Sequence, residues 1–136
     1  MIYVLDTNIC IYALKNRPPE VLARLQEVGR AAVVVSAITV LELRQGAEKS
    51  RETARVHERL DLFLGPIAVL PFDEEDALAG ARLRAHLERQ GRPIGDFDSL
   101  IAAQALALDL TLVTNNRREF DRVPGLKVEN WVATDP

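Results

Sequence analysis

The sequence predicts an α/β fold, a three-layer α/β/α domain on a central parallel sheet of four to five strands. Three observations carry that reading. Short apolar runs alternate with longer helical stretches along the whole chain. The apolar runs are rich in Val, Ile and Leu, as strands buried on both faces are. Helical stretches separate them, and a parallel crossover needs a connection of about a dozen residues or more, usually a helix.

Each element has its own signal. Ile2–Leu5 is an apolar run that ends at Asp6, hence a buried strand. Residues 20–28 place Val21, Leu22, Leu25 and Val28 on one helical face. Val33–Val35 is entirely β-branched. Ser36 then suits the N-cap of a helix over 37–45. Val56, Leu60 and Leu64 form one stripe of a helix over 53–64. Ala68–Leu70 reads as a third strand. The helix over 73–89 opens with acids that suit the positive end of its dipole. An Ala- and Leu-rich helix covers 98–108, Thr111–Val113 is a fourth strand, and Lys127–Glu129 a weaker fifth.

The length, 136 residues, fits one domain, expected over residues 1–132 with a short tail at 133–136. The lone cysteine, Cys10, excludes an internal disulfide and a Cys-based zinc site, and favours a reducing, cytoplasmic setting. No stretch reads as a secretory signal or membrane span. The net charge of −3 means that any nucleic acid must be held by a local patch or through metal ions.

In parallel sheets, sites gather at the carboxyl ends of the strands. Asp6 follows the first strand, as either a helix cap or a site residue. Glu42 lies on a mostly apolar helix after the second strand. Asp96 and Asp98 open a helix behind the flexible Gly95, with Asp96 the better cap and Asp98 the better site residue. Thr114-Asn115-Asn116 follows the fourth strand, where Thr114 can cap a short helix carrying Arg117, Arg118 and Glu119. Carboxylates packed together repel, and their pKa values rise unless a cation joins them. Oxygen ligands suit Mg²⁺, with Mn²⁺ a possible substitute. His57 and His86 lie on charged helices and read as surface residues. Lys15, Arg17, Arg44, Lys49, Arg92, Arg117 and Arg118 are the candidate RNA contacts. The Gly-rich turns of nucleotide-binding folds and the GxSxG elbow are absent.

Leu5-Asp6-Thr7-Asn8, Ser36-Ala-Ile-Thr39-Val-Leu-Glu42-Leu, Gly95-Asp-Phe-Asp98-Ser-Leu-Ile-Ala-Ala and Val113-Thr114-Asn115-Asn116 resemble, in order and spacing, the PIN-domain family. More narrowly, Asp6-Thr-Asn-Ile-Cys-Ile11 and Thr114-Asn-Asn-Arg-Arg-Glu-Phe120 are similar to the VapC toxins, in the branch that cuts initiator tRNA. The likeness runs from about residue 2 to Trp131. It implies a metal-dependent endoribonuclease leaving 5′-phosphate and 3′-hydroxyl ends, a homodimer, and a cognate VapB-like antitoxin as partner. It implies Asp6 and Asp98 as metal-binding aspartates and Glu42 as the acid that completes the triad. Thr7 or Asn8, Ser36 and Thr114 match polar positions that orient those acids. Many relatives carry an Asp where Asn116 stands, so Asn116 is a catalytic position without the usual charge, which Glu119 can supply.

Two other readings fit parts of the pattern. A catalytically degenerate PIN-like module that only binds RNA or protein would explain Asn116, but not the retention of Asp6, Glu42 and Asp98. An aspartyl-phosphate enzyme would explain Asp6, but Asn8 stands where its second acid is needed.

Overall fold

The computed structural model describes residues 2–133. Five strands form one all-parallel sheet: β1 (Tyr3–Leu5), β2 (Val33–Ser36), β3 (Ala68–Leu70), β4 (Thr111–Val113) and β5 (Val128–Glu129), in the order β3-β2-β1-β4-β5. The chain builds outward from β1 through β2 to β3, then returns to the other side of β1 with β4 and β5. Order therefore reverses at β1, and the switch point lies between the carboxyl ends of β1 and β4. Leu5 pairs with Val113 there, and the Asp6 N–H donates to the Val113 carbonyl at 3.0 Å.

Strand alternation divides the interior into two cores. Leu5, Val33, Val35 and Val113 face one side, where α1 (Thr7–Lys15), α2 (Pro19–Val28), α3 (Ala37–Glu48) and α4 (Thr53–Leu64) supply Ile9, Val21, Leu25, Leu43 and Leu60. Val4, Val34 and Leu112 face the other, against α5 (Glu74–Arg89), α6 (Asp96–Ala107) and the short α7 (Arg117–Phe120), which supply Leu83, Leu87, Ile101 and Phe120. Because period-two side chains point to opposite faces, strands of two to four residues serve both layers.

Helix starts follow local chemistry. α1 begins at Asp6, whose carboxyl accepts the Ile9 N–H at 2.8 Å. Ser36 caps α3 through the Ile38 N–H at 3.0 Å. α5 has a full capping box between Asp73 and Asp76. Asp76 also accepts a hydrogen bond from the buried Gln104 amide of α6, tying the two helices at 3.1 Å.

Some expectations change. Residues 7–15 form a helix that periodicity alone did not show. Asp96 does not cap α6: Gly95 is the N-cap, and Asp96 is the first helical residue, turned toward Arg84. Thr114 does not cap α7 either. Asn116 stands at that N-cap, and Thr114 accepts the Asn116 N–H at 2.9 Å in a turn just ahead of it. The tail expected over 133–136 lies outside the described residues except for Ala133, whose N–H donates to Glu20 at 3.0 Å. No helix among the described residues is long and apolar enough to cross a membrane.

Leu112 is fully buried at the centre of the sheet, whereas Leu62 of α4 is 75% exposed. Leu112→Ala should cost about 2–5 kcal/mol of stability by urea denaturation. Leu62→Ala should stay within about 0.5 kcal/mol.

Candidate active site

Asp6 follows β1 directly and is buried. Its Oδ1 accepts the Ile9 N–H, and its Oδ2 accepts a short hydrogen bond from the Thr114 hydroxyl at the end of β4. The switch point is thus closed by a bond between residues 108 positions apart. Cap and site residue were alternatives for Asp6 in the sequence; one oxygen caps the helix while the other faces the site. Burial pushes the Asp6 carboxyl up to about 6, against the hydrogen bonds from Thr114 and Ile9, and the charge of Glu42 adds to the rise.

Glu42 reaches the same edge from α3. Its Oε1 accepts the Thr7 hydroxyl at 2.6 Å, and Thr7 also lies 3.3 Å from the buried Thr39 hydroxyl. Asp98 arrives from the first turn of α6. Burial raises its carboxyl to about 7, helped by a hydrogen bond and charge from Glu119 and by the charges of Asp6 and Glu42. The structure therefore brings Asp6, Glu42 and Asp98 within each other's electrostatic reach.

Glu119 is the fourth acid. Its Oε1 accepts the Gly95 N–H at 2.6 Å and its Oε2 the Asn116 amide at 2.7 Å. Burial works to raise Glu119, but hydrogen bonds from Asp98, the Gly95 N–H and Asn116 outweigh it and hold it below its ordinary value. Asp98 is thus raised and Glu119 lowered, the two carboxyls being driven in opposite directions. Gly95 makes room for the pair: a Cβ there would lie 3.2 Å from Asp98 Oδ2 and 3.5 Å from Glu119 Oε1.

Other positions differ from expectation. Ser36 is buried and spends its hydroxyl on the Ile38 N–H; it orients a helix, not an acid. Asn8 is exposed, and it is its backbone N–H, one of the free amides of the first turn of α1, that faces Asp6. Asn116 holds Glu119 through its side-chain amide. Thr39 escaped the sequence reading, since a Thr on an apolar helix face carries no distinguishing signal.

Among the basic candidates, Arg44 is committed: it donates to Asp61 at 2.7 Å and to His57, and His57 contacts Glu48 at 2.6 Å. His57 is thus a half-buried link between α3 and α4, not a solvated surface residue. Arg117 lies 3.6 Å from Asp121. Lys15, Arg17, Lys49, Arg92 and Arg118 make no ion pair among the described residues.

The donor set suits a divalent ion in kind. Four carboxyls lie at this edge, two of them raised by burial and mutual charge, while Arg122 bears on Glu119. The crowding of like charge at this edge is what a hard cation would relieve. As placed, no three Asp, Glu, His or Cys side chains among the described residues are near enough to hold a metal.

Known proteins share this chain's sequence and fold. Residues 3–126 match the model of the PIN domain. The tRNA(fMet)-specific endonuclease VapC of Shigella flexneri is 43% identical over 129 residues, covering 95% of this chain and 97% of that protein. Ribonuclease VapC2 of Haemophilus influenzae is 45% identical over 131 residues, 96% of this chain and 98% of that one. The crystal structure of DNA-bound VapBC from Salmonella typhimurium superposes with a TM-score of 0.91 at 38% identity, over 97% of this chain and 99% of that chain. The chain belongs to the PIN-domain family, among the VapC ribonucleases.

Proposed function

We propose that this chain is a Mg²⁺-dependent endoribonuclease, the toxin of a toxin–antitoxin pair, which hydrolyses a tRNA backbone. The observation that carries the reading is the convergence of Asp6, Glu42, Asp98 and Glu119 at the switch point of the sheet. Asp6 and Asp98 would hold the ion, with Glu42 and Glu119 completing the set. Bound there, Mg²⁺ supplies a water of lowered pKa and neutralises charge at phosphorus.

The chain's own residues do the rest. Thr114 and the Ile9 N–H fix both oxygens of Asp6, so its direction is set before substrate arrives. Thr7 fixes one oxygen of Glu42 and leaves the other to take the proton of an attacking water. Asn116 and the Gly95 N–H aim Glu119 at Asp98. Glu119 restores the charge that Asn116 lacks, which removes the main support for a degenerate, binding-only module. Cys10 is fully buried, and burial and the charge of Asp6 both raise its thiol, which favours water over sulfur as the nucleophile.

The relatives support two partners. The Shigella enzyme is named for tRNA(fMet), and tRNA is the substrate class proposed here. The Salmonella structure is a VapBC complex, and a VapB-like antitoxin is the proposed protein partner. An apolar groove of about 350 Å³ opens beside Glu42, between Ile11 and Leu14 of α1, Leu43 of α3 and Leu60 of α4. Its lining suits an apolar antitoxin segment. A homodimer in the cytoplasm is the proposed setting.

Incubation with total tRNA in Mg²⁺ should yield discrete cut ends, and EDTA should abolish them; equal cleavage in both would end the metal mechanism. Asp6→Asn and Asp98→Asn should each lower the rate by more than about 100-fold. Thr114→Val should lower it about 10- to 100-fold by misorienting Asp6.

Stability should carry the same signature. Asp6 and Asp98 have folded-state pKa values above their unfolded value of 3.8, so the folded state binds more protons between those values. Their contribution therefore favours folding at low pH and is lost as pH rises through about 6 to 7. In EDTA, removing both charges (Asp6→Asn with Asp98→Asn) should raise Tm at pH 8 more than at pH 5. Millimolar Mg²⁺ should raise the Tm of the parent protein at pH 8 and leave that of the double variant unmoved. A Tm blind to both pH and Mg²⁺ would contradict the assignment.

A further inference from the structure

The first turn of α6 carries Asp98, and no side chain caps it. Its position must be set by other means, because displacing a catalytic group by about 1 Å can cost about 100-fold in rate. One flank is held from α7. Glu119 accepts the Gly95 N–H at 2.6 Å, and Arg122 donates to the Pro93 carbonyl at 2.8 Å.

The other flank is held by a single side chain, Arg84 of α5. Its Nη2 donates to Asp96 Oδ1 at 2.9 Å. Its Nη1 donates to the Ser99 hydroxyl at 2.8 Å and lies 3.5 Å from the Asp96 carbonyl oxygen. Ser99 donates in turn to that carbonyl at 2.7 Å. The guanidinium thus grips the residues on either side of Phe97-Asp98. Asp96, which sequence reading made a helix cap, is the outer handle of this grip.

We propose that Arg84 is a positioning residue for Asp98: by clamping Asp96 and Ser99 it fixes the α6 turn that presents the Asp98 carboxyl to the other acids. The inference rests on the ribonuclease reading above. Three features favour positioning over mere stability. The Asp96 side chain is 86% exposed, and an ion pair to so exposed a carboxylate contributes little to folding. Ser99, by contrast, is buried, so that bond has a fixed direction. α6 also keeps its own packing against α5, where Leu100 lies against Gly80, and its Gln104–Asp76 bond. Losing Arg84 should therefore tilt the first turn without unfolding the helix. Lysine cannot replace it, since one ammonium does not span two acceptors as the planar fork does.

The test compares Arg84→Gln, Arg84→Lys and Asp96→Asn with the parent protein. Mn²⁺ affinity is measured by titration, cleavage by steady-state kinetics on tRNA, and folding by Tm. Arg84→Gln and Arg84→Lys should each lower kcat about 10- to 100-fold and weaken Mn²⁺ binding several-fold. KM should stay within about twofold and Tm within a few degrees. Asp96→Asn keeps the carbonyl and Ser99 contacts and should fall between these and the parent. In an Asp98→Asn background, Arg84→Gln should weaken Mn²⁺ binding no further, because the residue that it aims is gone. A raised KM with kcat and Mn²⁺ affinity unchanged would make Arg84 a phosphate contact and overturn the proposal. So would full activity and Mn²⁺ binding in both Arg84 variants. If Arg84→Gln does not fold, the same readings on Arg84→Lys and Asp96→Asn decide. A parent protein that neither binds Mn²⁺ nor cuts RNA would instead bring down the ribonuclease reading.

Discussion

A carboxyl group withdrawn from water at the end of β1 sets the terms for the rest of this site. Asp6 closes the junction between β1 and β4, the one place where the order of the sheet reverses. Burial of a charge is costly unless it is paired or hydrogen-bonded. Here the available partners are a hydroxyl from β4 and the N–H groups at the positive end of α1. They do not suffice, because the carboxyl still sits above its ordinary range. The remaining remedy is a positive charge, and no lysine or arginine is placed to provide it. A proton fills that role at low pH; at neutral pH a divalent ion is the better candidate.

The four acids hang on different parts of the fold. Asp6 belongs to the sheet, Glu42 to α3 on the first core, Asp98 to α6 on the second, and Glu119 to α7. Three of them are held by neighbours: Asp6 by Thr114, Glu42 by Thr7, and Glu119 by Asn116 and the Gly95 N–H. The site is thus a meeting of both helical layers across the sheet edge. Repulsion among the acids pushes those layers apart locally, while the two apolar cores hold them together. Stability is spent at this edge on behalf of chemistry, as happens where local rules of good packing are broken in a folded protein.

Much of this was legible before any coordinates. The strands stood out because they are short, β-branched and buried, and the rule of carboxyl ends pointed to Asp6, Glu42 and Asp98. The likeness of four ordered motifs to PIN domains supplied the rest of the fold. What stayed hidden was local. Helix α1 shows in the sequence only as the helix that Asp6 could cap, because Thr7–Lys15 begins with polar residues and shows apolar side chains on a wide arc. The cap expected at Asp96 falls to Gly95, because both acids suit a helix start and only the fold places Arg84 beside Asp96. Ser36 matched a motif position, yet its hydroxyl serves the helix that follows it. The contacts of Glu119 with Gly95 and Asn116 depend on how the chain turns after β4, which local sequence does not show.

Charge distribution explains how an acidic chain can act on RNA. The net charge of −3 is a sum over surfaces with different tasks. Several arginines are engaged in internal pairs: Arg24 with Glu27 and Glu129, Arg44 with Asp61, Arg84 with Asp96. The acids of the site would repel a phosphate if left alone, and a bound cation turns that same cluster into an attractive one. Attraction would then be switched on only where the ion sits, within a Debye length of about 8–10 Å. Binding of this kind depends on the metal as well as on salt, and it confines the phosphate backbone to the edge where Asp6, Glu42 and Asp98 can reach it. A basic protein gathers RNA everywhere and must still select a bond; an acidic one with a metal-dependent edge gathers it chiefly where it cuts.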